Sequence, residues 1–466
     1  MADAGLYAKV ALARVAGALS RASRRGGGTS LPGKLLLRMD RRAIGRLAGR
    51  LGRGAVVVSA TNGKTTTAGM IAAILHEGGI ATVHNRAGAN MPGGVATALL
   101  EQTARGNRSS AKGLFEVDEA WLPSVVGDVA PHTVLLGNLF RDQLDRYGEL
   151  EKLADEWSRL VAARAGGTSF VLNADDPLVA DLGRDAEGMP RDRVTYFGLE
   201  DRAHALERIE HASDAKHCRR CGTAYTYTAA YLGHLGVYEC PNCGNARPEP
   251  AIAARAVELR GMAGSAFTLS SPAGEVHVSL RLPGLYNVYN ATAAAACCLQ
   301  VGATLEQVER GLESFAAAFG RAEQIDLGGR RMAILLVKNP AGANEVFRTL
   351  AAADGAGELD VWMVLNDRIA DGRDISWIWD ADFETLAPRA SRVVCSGTRA
   401  AELALRLKYA GVDQRRLEVV PALERGFDRA LQGSGSAALY ALPTYTALLE
   451  LRDLLADRGH APPFWE

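Results

Sequence analysis

The chain has 466 residues, too many for one ordinary core, so roughly two to four domains are expected. A hydrophobic share of 48% with 23% charged residues places it among soluble globular proteins, and no run approaches the roughly 20 apolar residues that a spanning helix needs. The formal net charge is zero, which removes a global pull toward nucleic acid.

The charge is uneven along the chain. Residues 1–53 carry twelve Lys/Arg against two acids, Asp3 and Asp40. An Arg-rich, acid-poor start has the composition of a transit peptide, and a basic helix face can simply be solvated. The preferred reading is a basic amphipathic helix over residues 5–24, with Leu6, Val10, Leu12 and Val15 among small residues, lying near anionic lipid headgroups. "RRGGGTSLPGK" (24–34) then reads as a flexible break. With no secretory signal, the expected location is cytoplasmic, peripheral at the inner membrane face.

From residue 55 the texture is α/β. "AVVVSA" reads as a buried strand and "TTTAGMIAAILHEGG" as a helix closed by two glycines. "KGLFEVD", "HTVLLGN" and "GTSFVLNADD" are further strands, and 149–165 is a helix. Strands alternating with helices predict a mostly parallel sheet, with ligands at the carboxyl ends of its strands. Asn62–Thr65, Glu116–Glu119, Asn138 and Asn173–Asp176 fall there.

"VVVSATNGKTTTAG" (56–69) is a phosphate loop by its chemistry. A strand, a turn and a helix start gather backbone N–H groups and a helix dipole around an anion. Lys64 reaches the terminal phosphates, Thr65 holds Mg²⁺, and Asn62 and Gly63 close the turn. Val58 occupies the place where the strict pattern has its first glycine. "FEVDEA" (115–120) sets an acidic cluster at a strand end, with Glu116 the first candidate for Mg²⁺ and Glu119 the second.

Residues 203–252 break the rhythm. Cys218, Cys221, Cys240 and Cys243 follow the spacing C-x2-C-x18-C-x2-C, with glycine directly after each pair, which fits tetrahedral Zn²⁺. Four thiolates close the shell, so this zinc is structural and leaves His217 and His234 without a ligand role. "FTLSSPAGEVHVSLRLPG" follows as two strands and a turn, and "LYNVYNATAAAACCLQVG" as a helix. Composition shifts near 326, and "RRMAILLVKNP", "LDVWMVLND", "SRVVCSG", "RLEVVP" and "AALYALPT" give the tail its own α/β rhythm. In "LNDRIADGRDISWIWDADFE" (365–384), six carboxylates follow a strand, read from the residues alone as a loop of caps and turns. An Asp there would orient a histidine in a nucleophilic triad, yet the chain offers no convincing nucleophile of its own.

In order, "ATNGKTTT", "FEVDEA", "GNLFRDQLDRYGE", "LNADD" and "GLYNVYNATAAAA" resemble the ATPase domain of the Mur ligases and folylpolyglutamate synthases. The four-cysteine insertion and "ADGRDISWIWDADFE" narrow the resemblance to the MurT-type synthetase subunits of lipid II isoglutaminyl synthases. The fold implied is α/β: a Mur-ligase-type P-loop central domain (55–325) with a mostly parallel sheet and an inserted zinc ribbon (203–252), a basic N-terminal helical segment (1–54) and a smaller C-terminal α/β domain (326–466).

The resemblance implies ATP binding by Thr61, Asn62, Gly63, Lys64, Thr65 and Thr66, Mg²⁺ on Thr65 and Glu116, and Asn287 and Asn290 near the adenine. It also implies a motif at Asn138, Asp142 and Asp145, with Gln143 where amino-acid-adding relatives carry a metal-binding histidine. "HNRAGANMPGG" (84–94) resembles the substrate-facing loop, making Asn85 and Asn90 substrate candidates. The implied reaction is ATP-dependent amidation of the D-glutamate α-carboxyl of lipid II. Ammonia comes from a GatD-like glutaminase in a heterodimer, and Asp374, or else Asp371, is offered to that partner's Cys–His pair. The alternatives are an amino-acid-adding ligase of the same superfamily and a non-catalytic P-loop and zinc-ribbon binding protein. The latter includes nucleic-acid binding, which the neutral charge opposes.

Overall fold

The computed structural model describes residues 2–22, 30–85, 88–103, 110–142, 150–164, 166–210, 213–316, 321–352, 358–432 and 438–461. Two sheets organise it. The larger has nine strands: β1 (Ala55–Ser59), β2 (Thr82–His84), β3 (Lys112–Glu116), β4 (Thr133–Leu136), β5 (Ser169–Asn173), β6 (Val194–Leu199), β9 (Ile252–Leu259), β10 (Ser265–Ser271) and β11 (Gly274–Leu280). Their order is β11-β10-β9-β6-β5-β4-β1-β3-β2, parallel from β2 to β9 and antiparallel from β9 to β11. β1, β3 and β4 are buried along their whole length. Covered on both faces, they read as continuous apolar runs. Between β6 and β9 a two-stranded ribbon, β7 (Thr226–Leu232) and β8 (Leu235–Glu239), is inserted.

The second sheet has six strands: β12 (Arg321–Asp326), β13 (Arg331–Leu335), β14 (Leu359–Val364), β15 (Ala390–Ser396), β16 (Leu417–Val419) and β17 (Ala438–Pro443). Their order is β12-β13-β17-β14-β15-β16, with only the β12–β13 pair antiparallel. Each sheet carries its own pair of apolar cores, one per face.

The N-terminal segment folds as helices Ala2–Ala22, Leu31–Met39 and Ala43–Ala48. Residues 31–34, expected in a break, form the first helical turn instead. Pro32 sits where the missing N–H has no helical partner to lose. Gly33 lets this helix close on helix Pro92–Gln102, because a Cβ there would lie 1.9 Å from the Gly93 carbonyl. Among the described residues, no helix is long and apolar enough to cross a membrane.

Candidate active site

The β1 strand runs into a turn and then into helix Lys64–Glu77. Gly63 enters that helix at φ +87°, and a Cβ there would lie 2.0 Å from the Asn290 side-chain oxygen. Glycine is therefore required twice over, by backbone and by space. Its N-cap residue, Gly63, has no side chain to cap the first turn, and a helix start behind a strand end attracts an anion. Asn138 clamps the turn, accepting from Asn62 N at 2.8 Å and donating to Asn62 O at 3.0 Å. Thr61 bonds both ways with the Phe140 backbone. Ala60 presses its methyl toward Gly137, where a Cβ would lie 2.9 Å away, so the small residue across the turn makes room for it.

Lys64 donates to Glu119 at 2.8 Å, both side chains buried. Burial alone would lower the lysine's pKa, but Glu119, Asp118 and Glu116 outweigh it and hold the ammonium above its ordinary value. Burial would raise Glu119, yet Lys64 and Lys338 keep its carboxylate below the ordinary range. Glu119, second candidate for Mg²⁺, is thus the lysine's counter-ion. Glu116 accepts from the Thr65 hydroxyl at 2.8 Å, and its other oxygen, Oε2, is buried without a hydrogen-bond partner among the described residues. A buried carboxylate oxygen left open beside a hydroxyl is a site that fits Mg²⁺.

Asn85, expected to face substrate, turns inward. Its amide donates to the Ala89 and Glu116 carbonyls at 2.8 and 2.7 Å and accepts from Glu116 N at 2.9 Å, so it fixes the backbone of Glu116. Asn90 does line the cleft. Asn290 lines it too, under Gly63, with Thr66 alongside. Asn287 lies behind Asn290, donating to the Pro283 carbonyl at 2.8 Å and accepting from Asn290 at 3.1 Å, and props its neighbour. Asp145 and Gln143 lie outside the described residues.

The second sheet closes the cleft. Lys338, just past β13, pairs with Asp142 and donates to the Thr61 carbonyl at 3.2 Å. Asn339 exchanges side-chain hydrogen bonds with Asn62 at 3.0 and 3.3 Å. The sequence reading passed over both residues. The available signal was a lysine at a strand end followed by Asn-Pro, a helix start aimed at whatever the strand end faces. The resulting cleft encloses about 570 Å³ between the loop, Lys338 and residues of the N-terminal segment such as Lys34.

The four ribbon thiols lie within 4.8 Å of one another. Tetrahedral Zn²⁺ places its sulfurs about 3.8 Å apart, so the set fits. Gly222 and Gly244, at φ +75° and +71°, donate back to the Cys218 and Cys240 carbonyls and form the two knuckles. The far end of the hairpin reaches the cleft, where Leu232 and Leu235 form part of the wall. His234 between them is buried, its ring centred 4.5 Å from that of Phe140 at a 45° tilt and 3.3 Å from the Asp176 carboxylate. Glu210, just upstream, accepts from Gly233 N at 2.6 Å and from Asn344 at 3.0 Å, and pairs with Arg348. The ribbon thereby ties the two sheets together.

The remaining cysteines are buried. Burial pushes the Cys297 and Cys395 thiols up to about 12 and Cys298 well above its ordinary value. None supplies a thiolate at neutral pH.

The acidic segment separates its own members. Asp367 bonds Thr398 and Arg399, Asp382 bonds Asn344, and Glu384 bonds Arg406. Asp371 is 5% exposed and accepts from Thr446 N at 2.7 Å, Thr446 Oγ1 at 2.5 Å and Arg368 N at 3.3 Å, stapling the loop to the start of helix Tyr445–Asp457. Asp374 is exposed and accepts from Ser376 N at 2.8 Å. That N–H holds its carboxyl below the ordinary range.

Two family models match the chain: Mur ligase middle domain over residues 58–298 and MurT ligase C-terminal over residues 336–448. Subunit MurT of the lipid II isoglutaminyl synthase (glutamine-hydrolyzing) of Staphylococcus aureus (strain N315) is 31% identical over 453 residues, covering 96% of this chain and 97% of the relative. The same subunit of Streptococcus pneumoniae (strain ATCC BAA-255 / R6) is 33% identical, covering 94% of each. Among solved structures, a pseudomurein peptide ligase type C from Methanothermus fervidus superposes with TM-score 0.66 at 22% identity, over 88% of this chain and 79% of that one. The MurF ligase of Thermotoga maritima in complex with ADP gives TM-score 0.61 at 13% identity, over 89% and 82%.

Proposed function

The chain belongs to the MurT family within the Mur ligases, and from that premise we propose that it is the synthetase subunit of a glutamine-dependent amidotransferase acting on lipid II. The D-glutamate α-carboxylate of the peptide stem takes the γ-phosphoryl group of ATP, and ADP leaves. Ammonia attacks the acyl phosphate, phosphate departs, and the product is D-isoglutamine.

Each part of the cleft has a task in this chemistry. The helix start and Lys64 bind the phosphates and offset charge developing on the transferred group. Thr65 and Glu116 would hold Mg²⁺, which supplies further neutralisation across the same phosphates. When phosphate enters, Lys64 exchanges Glu119 for a phosphate oxygen. Lys338 approaches the same loop from the second sheet and joins the binding of nucleotide to domain closure. Asn138 and Asn62 keep the loop shaped, and Asn90 faces the acceptor side. The ribbon cysteines would hold a structural Zn²⁺.

Outside the ribbon, whose thiols are committed to the metal, the chain's thiols are buried and protonated, so ammonia is made elsewhere, by a glutaminase with its own nucleophile. Asp374 is the residue we propose to complete that partner's Cys–His pair, because it is ionised, exposed and held in one turn. Trp379, five residues on in the chain, and Leu405 and Tyr409 are 51%, 46% and 69% exposed, with the two rings 5.8 Å apart, an apolar patch suited to a protein partner. A membrane-borne substrate places the complex at the membrane's inner face.

The observation that carries the reading is the joint cleft, where a phosphate loop, an open carboxylate and Lys338 converge. The test is ATP-dependent amidation of lipid II by the chain co-purified with a glutaminase. Glutamine should drive amide formation with the pair, and ammonium with the chain alone. A chain that adds an amino acid and ignores ammonia would overturn it.

A further inference from the structure

The N-terminal helix Ala2–Ala22 has two apolar sides. One is spent inside the protein: Leu6, Val10 and Ala13 are at most 4% exposed. Gly17 meets Pro32, where a Cβ would lie 2.5 Å from the proline ring. The other faces outward: Leu12, Val15 and Leu19 are 61%, 59% and 66% exposed. With about 3.6 residues per turn, these three share one stripe opposite the buried one. The helix cannot roll to hide it. Lys9 is pinned to Asp40 at 3.4 Å, and the Arg50 guanidinium sits 4.9 Å over the Tyr7 ring.

Charge tells what covers this stripe. Exposed Arg14 flanks the buried side of this helix, Arg38 is exposed near the end of the next helix, and Arg41 and Arg42 are exposed in the turn that follows it. Residues 1–53 hold twelve cations against two acids. An apolar stripe on a segment this rich in cations fits an interface that is apolar beneath and anionic at its surface. A protein partner or a second copy would have to bring both a matching apolar groove and an acidic rim, whereas an anionic bilayer offers the two in layers. The segment is also joined to the cleft: helix Leu31–Met39 packs on helix Pro92–Gln102, and Ser30 and Lys34 line the cleft wall.

We propose that the outward stripe Leu12, Val15 and Leu19 docks the chain on an anionic bilayer and sets the cleft at headgroup height. The inference rests on the lipid-linked substrate proposed above. Docking then raises the local concentration of a substrate whose tail stays in the membrane, and adds nothing to the chemistry itself.

The test uses the full chain with its glutaminase. Wild type and Leu12→Gln/Val15→Gln/Leu19→Gln are sedimented with vesicles of phosphatidylglycerol and phosphatidylethanolamine, and with phosphatidylcholine alone. Glutamine keeps helix propensity and charge, and the three positions are exposed, so the fold is kept and checked by melting temperature. Wild type should bind the anionic vesicles and not phosphatidylcholine, and the variant should lose roughly tenfold in vesicle affinity. Amidation of lipid II in those vesicles should fall with it, while a water-soluble muramyl-peptide acceptor is amidated at the wild-type rate. Equal sedimentation of variant and wild type overturns the proposal. So does a variant that changes the mass of the complex in solution but not its vesicle binding, since the stripe is then a protein contact. Failure of wild type to amidate either acceptor would overturn the functional reading instead, whatever the vesicles show.

Discussion

The loop end of the cleft and the Asp371–Asp374 segment treat their charges in opposite ways. Around the loop the charges are drawn in and mostly answered from within the chain: Lys64 by Glu119 and Lys338 by Asp142, while Glu116 keeps one oxygen on the Thr65 hydroxyl and the other open. Charges that must act on phosphates gain from a dry, fixed surrounding, where each is worth more than in water. Asp374 is left outside, bound only to its own turn. Three residues earlier, Asp371 is drawn in and satisfied by three donors. One segment thus holds a carboxylate that completes its own fold and another available to complete something else.

The largest expected effect separates the two regions directly. Asp374→Asn should cost glutamine-driven amidation on the order of 10⁴-fold, the scale seen when a triad loses its orienting carboxylate. Ammonium-driven amidation should be untouched. Lys64→Ala should lower both rates by about 10³-fold, because it removes a cation from the transferred phosphoryl group. Parallel glutamine and ammonium assays read both. Equal loss of the two rates in Asp374→Asn would place that residue in the synthetase reaction and end the contrast.

The buried pair is tested through stability. Glu119→Gln leaves the Lys64 ammonium without its counter-charge and should cost about 3–5 kcal/mol, measured by chemical unfolding. Its pH dependence has a definite sign. Glu119 is held below its ordinary value, so its contribution is present above the unfolded carboxylate range and is lost as pH falls through the folded value. The variant should therefore show a flatter acid limb. Added ATP should restore more stability to the variant than to wild type, because phosphate takes the place of the lost carboxylate. Asp371→Asn should cost less, about 1–3 kcal/mol, and should change the two amidation rates equally, through the folded fraction alone.

How much of this was legible depends on whether a residue's neighbours are close in sequence. Most strands of both sheets, though not β2, β6, β9 or β12, were readable, as were the loop around Lys64 and the thiol spacing, since periodicity, a strand-to-helix turn and Cys-x2-Cys pairs are local signals. Lys338 and Asn339 were not, because what gives them a role is the fold bringing β13 to the carboxyl end of β1. Asn85 and Asn287 looked like ligand contacts because an asparagine beside a loop reads the same whether its amide faces ligand or backbone. Here both amides are used on backbone and neighbouring side chains. Asp371 and Asp374 could not be ranked from the motif. What separates them is Thr446, 75 residues away from Asp371 in sequence and in hydrogen-bond contact with it.

The smallest effect concerns the ribbon. Its thiol cluster is at one end of the hairpin and its tip forms cleft wall at the other. Removing the metal should free the knuckles at Cys218 and Cys240, yet the tip has anchors of its own. Gly236 N bonds the Asp175 carbonyl at 2.9 Å, Tyr227 donates to the His234 carbonyl at 3.0 Å, and His234 lies between Phe140 and Asp176. Leu232 and Leu235 should therefore stay near their places, with more freedom. Nucleotide affinity, measured by calorimetry before and after chelation under reducing conditions, should weaken by no more than about tenfold, or roughly 1.4 kcal/mol. A loss of about 100-fold or more would mean that the metal, and not the anchors, holds the cleft wall. The ribbon would then belong with the phosphate loop as part of the nucleotide site.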